Sequence, residues 1–473
     1  MPSTADVVVI GAGPAGVMAA AHAAELGAGT VLVSQYAYGG IAANDGPVPV
    51  RTLAHTAHLM RNARQLGRYG VVISEPALDY QRLLGRVDEV IRDVRERTTL
   101  RTSIESHGGV IRENTGPISF QDAHTIVTET GLRLEAEKFI ICTGGVSRKL
   151  PIPGFEHTST HGDAWSLTTV PPSMIVVGCG ATGAQVASVF NTFGTRVELF
   201  EASPHILAAE DADVAAVVAA AFQHEGIKVR ENFGSIDSFE QTPVGVRMTF
   251  TKDGNRETAE AALAVVAVGW GADTGALQPG AAGVEVTQRG FLHVNEYLQT
   301  STPHIFAAGD VTGRVMLASE AIRDGFIAAD NAVRGARIPA TEHLVPTGSF
   351  TDPEYASVGL TEQKARESHD VVTAVSYYSA AVRAIIDGRS TGFCKLIVDR
   401  TTAEILGCHV VGEKATDVVQ VAAMALASGM RRVDDLARAP VSFPTYAEVL
   451  IATAIRAAKK LNLEIGWRTH YIA

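Results

Sequence analysis

Two glycine turns constrain this chain more than any other feature. Val7-Val8-Val9-Ile10 opens directly into Gly11-Ala12-Gly13-Pro14-Ala15-Gly16. Met174-Ile175-Val176-Val177 opens in the same way into Gly178-Cys179-Gly180-Ala181-Thr182-Gly183, about 170 residues later. Short, wholly apolar runs of this kind suit parallel strands buried on both faces. A helical stretch follows each turn, Val17 to Leu26 in the first case and onward through Phe193 in the second. A further strand then comes, Val31-Leu32-Val33 or Val197-Glu198-Leu199-Phe200-Glu201. This is G-x-G-x-x-G in the strand–turn–helix context that holds a dinucleotide. The first glycine makes the bend, the second lets backbone approach a pyrophosphate, and the third lets helix pack on strand. The helix N-terminus supplies amides and partial positive charge. One such turn is weak evidence; two in context predict an α/β fold with two Rossmann-like units and two dinucleotides. The binding candidates are Gly11, Gly13, Pro14, Ala15 and Gly16 in the first unit and Gly178, Gly180 and Gly183 in the second.

The second strand of such a unit usually ends in an acid that takes a ribose hydroxyl. In the first unit that place is held by Ser34 and Gln35, and a serine binds ribose more weakly than a carboxylate. In the second unit Glu201 stands there, close to the usual spacing of about 20 residues. It would bond the 2′-hydroxyl of NAD and repel the 2′-phosphate of NADP. Ala202-Ser203-Pro204-His205 follows, with no arginine pair, so NAD(H) is expected.

The rest of the composition is that of a globular protein of several domains: 473 residues, 46% apolar and 19% charged. A net charge of −11 argues against nucleic acid and anionic membrane as partners. No apolar stretch is long enough for a membrane span, so no membrane insertion is expected. The N-terminal apolar run reads as a strand rather than a signal peptide. Cys142, Cys179, Cys394 and Cys408 form neither a C-x-x-C pair nor a metal cluster. Cys142, Cys179 and Cys394 sit in apolar or strand-like runs and read as buried thiols; no metal is expected, and the expected compartment is a reducing cytoplasm.

Between the two units runs Gly39-Gly40-Ile41-Ala42-Ala43-Asn44-Asp45-Gly46-Pro47-Val48-Pro49-Val50-Arg51. It resembles the redox-disulfide segment G-G-T-C-x-N-x-G-C-x-P-S-K of the flavoprotein pyridine nucleotide-disulfide oxidoreductases, which include lipoamide dehydrogenase and mercuric reductase. Thr143-Gly144-Gly145 with Pro151-Ile152-Pro153-Gly154 is similar to the family's exit from its flavin domain. Thr302-Pro303-His304-Ile305-Phe306-Ala307-Ala308-Gly309-Asp310 resembles the motif whose aspartate meets the flavin's ribityl and phosphate region. Val315-Met316-Leu317-Ala318 then resembles the start of the helix beneath the flavin. Ser349-Phe350-Thr351-Asp352-Pro353-Glu354 opens a stretch similar to the family's interface domain. The resemblance implies an FAD-binding domain over 1–150 and 270–343, an NAD-binding domain over 151–269, and a C-terminal α+β interface domain over 344–473 that makes a homodimer. It implies that Gly40, Arg51, Thr143, Gly144, Gly309, Asp310, Met316, Leu317 and Ala318 join the first cofactor, FAD, and Gly269 the second, NAD(H).

Against the family pattern, Ala42 and Pro47 replace both cysteines. Phe443 replaces the histidine of H-P-T-L-S-E, while Pro444, Thr445 and Glu448 remain. Arg51 replaces the lysine after P-S, and Gln185 replaces the glutamate that pairs with it. An Arg51–Gln185 pair near the flavin is therefore expected, with Arg51, Gln185, Phe443 and Glu448 as the residues around the chemistry. The expected activity is NADH-dependent reduction, through FAD, of a small non-disulfide acceptor such as a quinone. Ala42, Pro47 and Phe443 would form an apolar cavity for it on the flavin's far face. The alternatives are a nicotinamide transhydrogenase and a non-catalytic flavin- and NAD-binding redox sensor.

Overall fold

The computed structural model describes residues 4–97, 100–341 and 343–470. Thr4–Ile10 pairs in parallel with Thr30–Val33 on one side and Arg133–Ile141 on the other. The whole seven-stranded sheet runs Val110–Arg112, Thr30–Val33, Thr4–Ile10, Arg133–Ile141, Thr125–Thr128, Ile118–Asp122, with Ile305–Ala307 also beside Arg133–Ile141. Val7 and Val9 enter one apolar cluster, Val8 and Ile10 another. A strand covered on both faces must be apolar at successive positions, which is why the sequence shows no alternation here.

The second sheet is wholly parallel, in the order Lys228–Glu231, Arg196–Glu201, Ser173–Val177, Leu263–Val266. An antiparallel sheet of Ser235–Thr242, Gly245–Lys252 and Asn255–Ala261 shares an apolar cluster with it through Phe200, Phe239 and Phe250. The two passages of chain between the nucleotide units lie side by side, as Gly145–Ser147 paired antiparallel with Trp270–Ala272. The third sheet is antiparallel: Thr347–Ser349, Tyr355–Gly359, Ile405–Val411, Phe393–Asp399, Val371–Tyr377. Helices Ala415–Ala427 and Glu448–Lys460 bury their apolar faces in its cluster.

From sequence, apolar residues at helical intervals (Leu53, Ala57, Met60, Ala63) predict a helix over Arg51 to Gly67, and Tyr80 to Ser106 reads as a second long helix; the boundaries of these two and of the helix at Val315 differ in the structure. The stretch from Tyr80 to Ser106, expected as one helix, holds Tyr80–Arg97 and Arg101–Ser106; residues 98 and 99 lie outside the described residues. The helix expected from Arg51 begins at Pro47, because proline is preorganised for a first helical position. The helix expected from Val315 begins at Ala318: Leu317, which caps it, is extended (φ −131°, ψ 140°). No described helix is long and apolar enough to cross a membrane.

Candidate active site

The first glycine turn opens onto a cavity of about 820 Å³. Gly11, Gly13, Pro14 and Ala15 line one end with Ser34; Gly40, Thr143, Gly144, Gly309, Asp310, Met316 and Ala318 line the rest. Gly16 and Leu317 stay behind the wall. Gly16 belongs to the packing: a Cβ there would sit 1.8 Å from the Gly11 carbonyl oxygen. Gly40 has φ +57°, and a Cβ on it would stand 2.6 Å from Gly13 Cα, so two backbone segments meet at this point with no side chain between them.

Several polar groups in this cavity lack protein partners. The Thr143 hydroxyl is buried without a hydrogen bond among the described residues. Burial raises the Asp310 carboxyl pKa, with no neighbouring cation to offset it. The helices Pro14–Glu25 and Ala318–Arg334 reach the cavity without side-chain caps on their N-termini. Uncapped first-turn amides, a bare hydroxyl and a backbone-lined passage fit a long phosphorylated cofactor such as FAD.

The second turn faces a cavity of about 720 Å³ lined by Gly178, Gly180, Ala181, Glu201 and Gly269. Gly183 lies behind it, buried in the Ala181–Thr192 helix, whose N-terminus also has no side-chain cap. Both Glu201 carboxylate oxygens accept backbone amides: Oε2 from Cys179 N at 2.8 Å, Oε1 from Ser203 N at 2.8 Å. The acid fixes the loop as well as facing the cavity. Ser34 has no such role; its neighbours bond its backbone, through Thr115 N and Oγ1 to the Ser34 carbonyl.

Ala42, Asn44, Asp45, Pro47, Val50 and Phe350 also line the first cavity. Asn44 holds this segment in place: its Oδ1 accepts from Arg95 Nε at 2.8 Å, and its Nδ2 donates to the Tyr38 carbonyl at 3.4 Å. Burial raises the Asp45 pKa, and Arg95 partly opposes it.

The expected Arg51–Gln185 pair does not form. Gln185 lines the first cavity but donates Nε2 to Ala181 O of its own helix, at 3.1 Å. Arg51 does not line the cavity; its guanidinium carbon lies 3.3 Å from the Phe350 ring centroid. Burial lowers its pKa, while Glu354 and Asp417 pull it up. A glutamine has no charge to hold a guanidinium, whereas these two carboxylates and an aromatic face do. Phe443 and Glu448 line neither cavity. Phe443 is 69% exposed, so the apolar cavity expected from Ala42, Pro47 and Phe443 has only its first two members in one chain. Glu448 opens the last helix as its first-turn acid.

Four residues line both cavities: Ser147, His161, Thr182 and Trp270. Sequence reading passed over Ser147, His161 and Thr182, and drew no chemistry from Trp270. The available signal was Thr160-x-x-Asp163, a capping box that starts a short helix at His161.

The family model of the pyridine nucleotide-disulphide oxidoreductases matches residues 5–325, and that of the family's dimerisation domain matches residues 345–454. The chain belongs to this family, whose members bind FAD and NAD(P)H. It is similar to a dihydrolipoyl dehydrogenase of Thermus scotoductus, 32% identical over 460 residues, covering 95% of this chain and 97% of the relative. It is also similar to a mercuric reductase of Lysinibacillus sphaericus, 31% identical, covering 95% of this chain and 82% of that one. Among solved structures, the HOCl-induced flavoprotein disulfide reductase RclA of Escherichia coli superposes with a TM-score of 0.84 at 26% identity, covering 95% of this chain and 99% of that one.

Proposed function

We propose that the chain is an FAD-dependent NAD(P)H oxidoreductase, with NADH preferred, that reduces a small non-disulfide acceptor. The observation that carries this reading is the wall at Ala42 and Pro47. Where the family writes its cysteine pair, neither side chain can form a thiolate, and both line the first cavity. The four cysteines lie elsewhere, each buried. Cys142 and Cys179 touch separate cavities, and burial pushes both thiols above their ordinary range. A buried, neutral thiol is a poor nucleophile. Phe443 supports the same reading, since a leaving thiolate would need the acid that this position lacks.

When bound, FAD supplies the two-electron step between nicotinamide and acceptor. The chain's own residues would position it: the first-turn amide of Ala15, the Thr143 hydroxyl, and the amides at the start of the Ala318–Arg334 helix. Glu201 orders the nicotinamide nucleotide's loop, and its carboxylate favours NADH over NADPH. The dimerisation domain supports a homodimer, to which the exposed Phe443 would belong.

The test is anaerobic reduction of the purified flavoprotein by NADH and by NADPH, followed by quinones, dyes, disulfides and oxygen. Expected are faster reduction by NADH, no thiolate–flavin charge-transfer absorbance, and reoxidation by quinones. Efficient turnover of any disulfide overturns the reading.

A further inference from the structure

We propose that His161 is the general acid of this enzyme and that the acceptor is received on the nicotinamide side of the flavin cavity. The inference rests on the non-disulfide reading above and gives that acceptor a place and a proton source. It starts from where the two cavities meet. His161 stands on the wall they share, whereas Ala42 and Pro47 line the first cavity alone. It is also the only histidine lining either cavity among the described residues.

The ring is held in place. Its Nδ1 lies 2.9 Å from Ser147 Oγ. Its edge meets Trp270, with ring centroids 4.5 Å apart at 60°. Ser147 and Trp270 are opposed residues of the ribbon that joins the two nucleotide units. The backbone at His161 is fixed by the capping box, in which Asp163 N donates to Thr160 Oγ1 and Thr160 N donates to Asp163 Oδ2. Nε2 has no hydrogen-bond partner among the described residues, which leaves it for a molecule in the cavity.

The chemistry balances with a quinone. NADH would give up a hydride and leave as NAD⁺, with bound FAD supplying the two-electron relay. The quinone gains two electrons and one proton as that hydride. Its second oxygen takes a proton from imidazolium Nε2, and His161 recovers one from water. Burial lowers the His161 pKa below 6.5, and Asp163 on the same helix pulls it back up. Lys149, Asp273, Asp310 and Asp45 are the other charged groups on the first cavity's wall and Glu201 lines the second; Ser147 and Trp270, which meet the ring, carry no charge. Imidazolium is therefore the minority form at neutral pH, and the acid step speeds up as pH falls.

The experiment follows reoxidation of the NADH-reduced holoenzyme by a water-soluble benzoquinone, in stopped flow, from pH 5 to 9. Wild type is expected to reoxidise faster as pH falls, with a midpoint below 6.5. His161→Gln should be slower by about 10- to 100-fold at low pH and flat with pH, with its flavin content kept as the check on folding. Ser147→Ala keeps the imidazole and frees it; a smaller loss with a shifted midpoint is expected. Saturating NAD⁺ should slow wild-type reoxidation at least tenfold, because both molecules would use one place. Reoxidation that ignores NAD⁺, or a His161→Gln profile matching wild type, overturns the inference alone. A wild type that ignores the quinone and turns over a disulfide overturns the acceptor reading and this inference with it.

Discussion

The two nucleotide units share one turn, yet they differ in how that turn is closed and in what the unit stands on. In the second unit Glu201 closes the loop with two backbone bonds. Its neighbouring helix Ala212–His224 is capped by Asp211, which also meets Lys395 of the interface domain at 2.9 Å. Lys395 bonds Asp213 and Glu362 as well, each at 2.6 Å. In the first unit Ser34 joins the loop through its backbone, its N donating to the Arg112 carbonyl and its carbonyl accepting from Thr115. Its Pro47–Gln65 helix meets an interface region that half-buries Glu354 and Glu413 beside Arg51, Arg389 and Lys414. Burial and Glu413 raise the Glu354 pKa to about 7, and Arg51 opposes them. The second unit's acids are thus matched by partners inside the protein. The first unit leaves polar groups for its cofactor to satisfy.

The largest effect expected from breaking this contrast is at Lys395, which is 3% exposed. Burial lowers its pKa, but three carboxylates outweigh burial and raise it well above the ordinary range. Burial likewise raises Asp211 and Glu362, and their bonds to Lys395 bring both below normal. The signs place the cluster's stabilisation above the ordinary carboxyl range and below 10.5. Lys395→Met leaves Asp211 buried without its cation and should cost about 3–5 kcal/mol at pH 7. Denaturant titration of the holoenzyme measures it. A loss under 1 kcal/mol would mean that water already enters the cluster.

Next comes Glu201. Removing it by Glu201→Ala strips the acceptor from Cys179 N and Ser203 N, and Cys179 is fully buried. Two lost charge-assisted bonds at a binding loop correspond to about 2–4 kcal/mol, or roughly 30- to 1000-fold weaker NAD⁺. Titration of the oxidised flavoprotein with NAD⁺ reads this directly. A change under threefold would show that the acid neither shapes the loop nor meets the ribose.

How much of this contrast could be read from residues alone follows from what fixes each part. Both turns were legible, because a buried parallel strand ending in glycines leaves few alternatives. So was the difference between Ser34 and Glu201, which is one of residue identity. The Arg51–Gln185 pair was misread because side-chain direction depends on competitors far along the chain: Phe350, Glu354 and Asp417 for Arg51, the Ala181 carbonyl for Gln185. His161 was invisible for a related reason. Its neighbours Ser147 and Trp270 come from two separate passages of chain that only the ribbon pairing brings together.

On the first unit's side, Glu354→Gln tests the carboxyl that burial destabilises. A folded pKa of about 7 against 4.5 in a free carboxyl means that the fold binds the protonated form better. The associated stability is present below pH 4.5 and lost as pH rises through 7. Glutamine should therefore match wild type at pH 5 and be more stable at pH 8, by up to about 3 kcal/mol. Thermal melts at the two pH values decide it. Equal gains at both would assign the effect to packing rather than charge.

The smallest change, Ser34→Ala, asks how far the first unit has departed from the second. Ser34 lines the cavity and is buried, and its backbone bonds do not need its hydroxyl. Removing one neutral hydrogen bond is worth about 0.5–1.5 kcal/mol, so FAD should bind about 2- to 10-fold more weakly. Reconstitution of deflavinated protein, followed by quenching of free FAD fluorescence, measures the ratio. A loss beyond 100-fold would show that the hydroxyl does a carboxylate's work, and the two units would then differ in residue and not in role. Within the expected range, FAD is held chiefly by the turn, the uncapped helix ends and Thr143, while Glu201 makes the nicotinamide site depend on a single side chain.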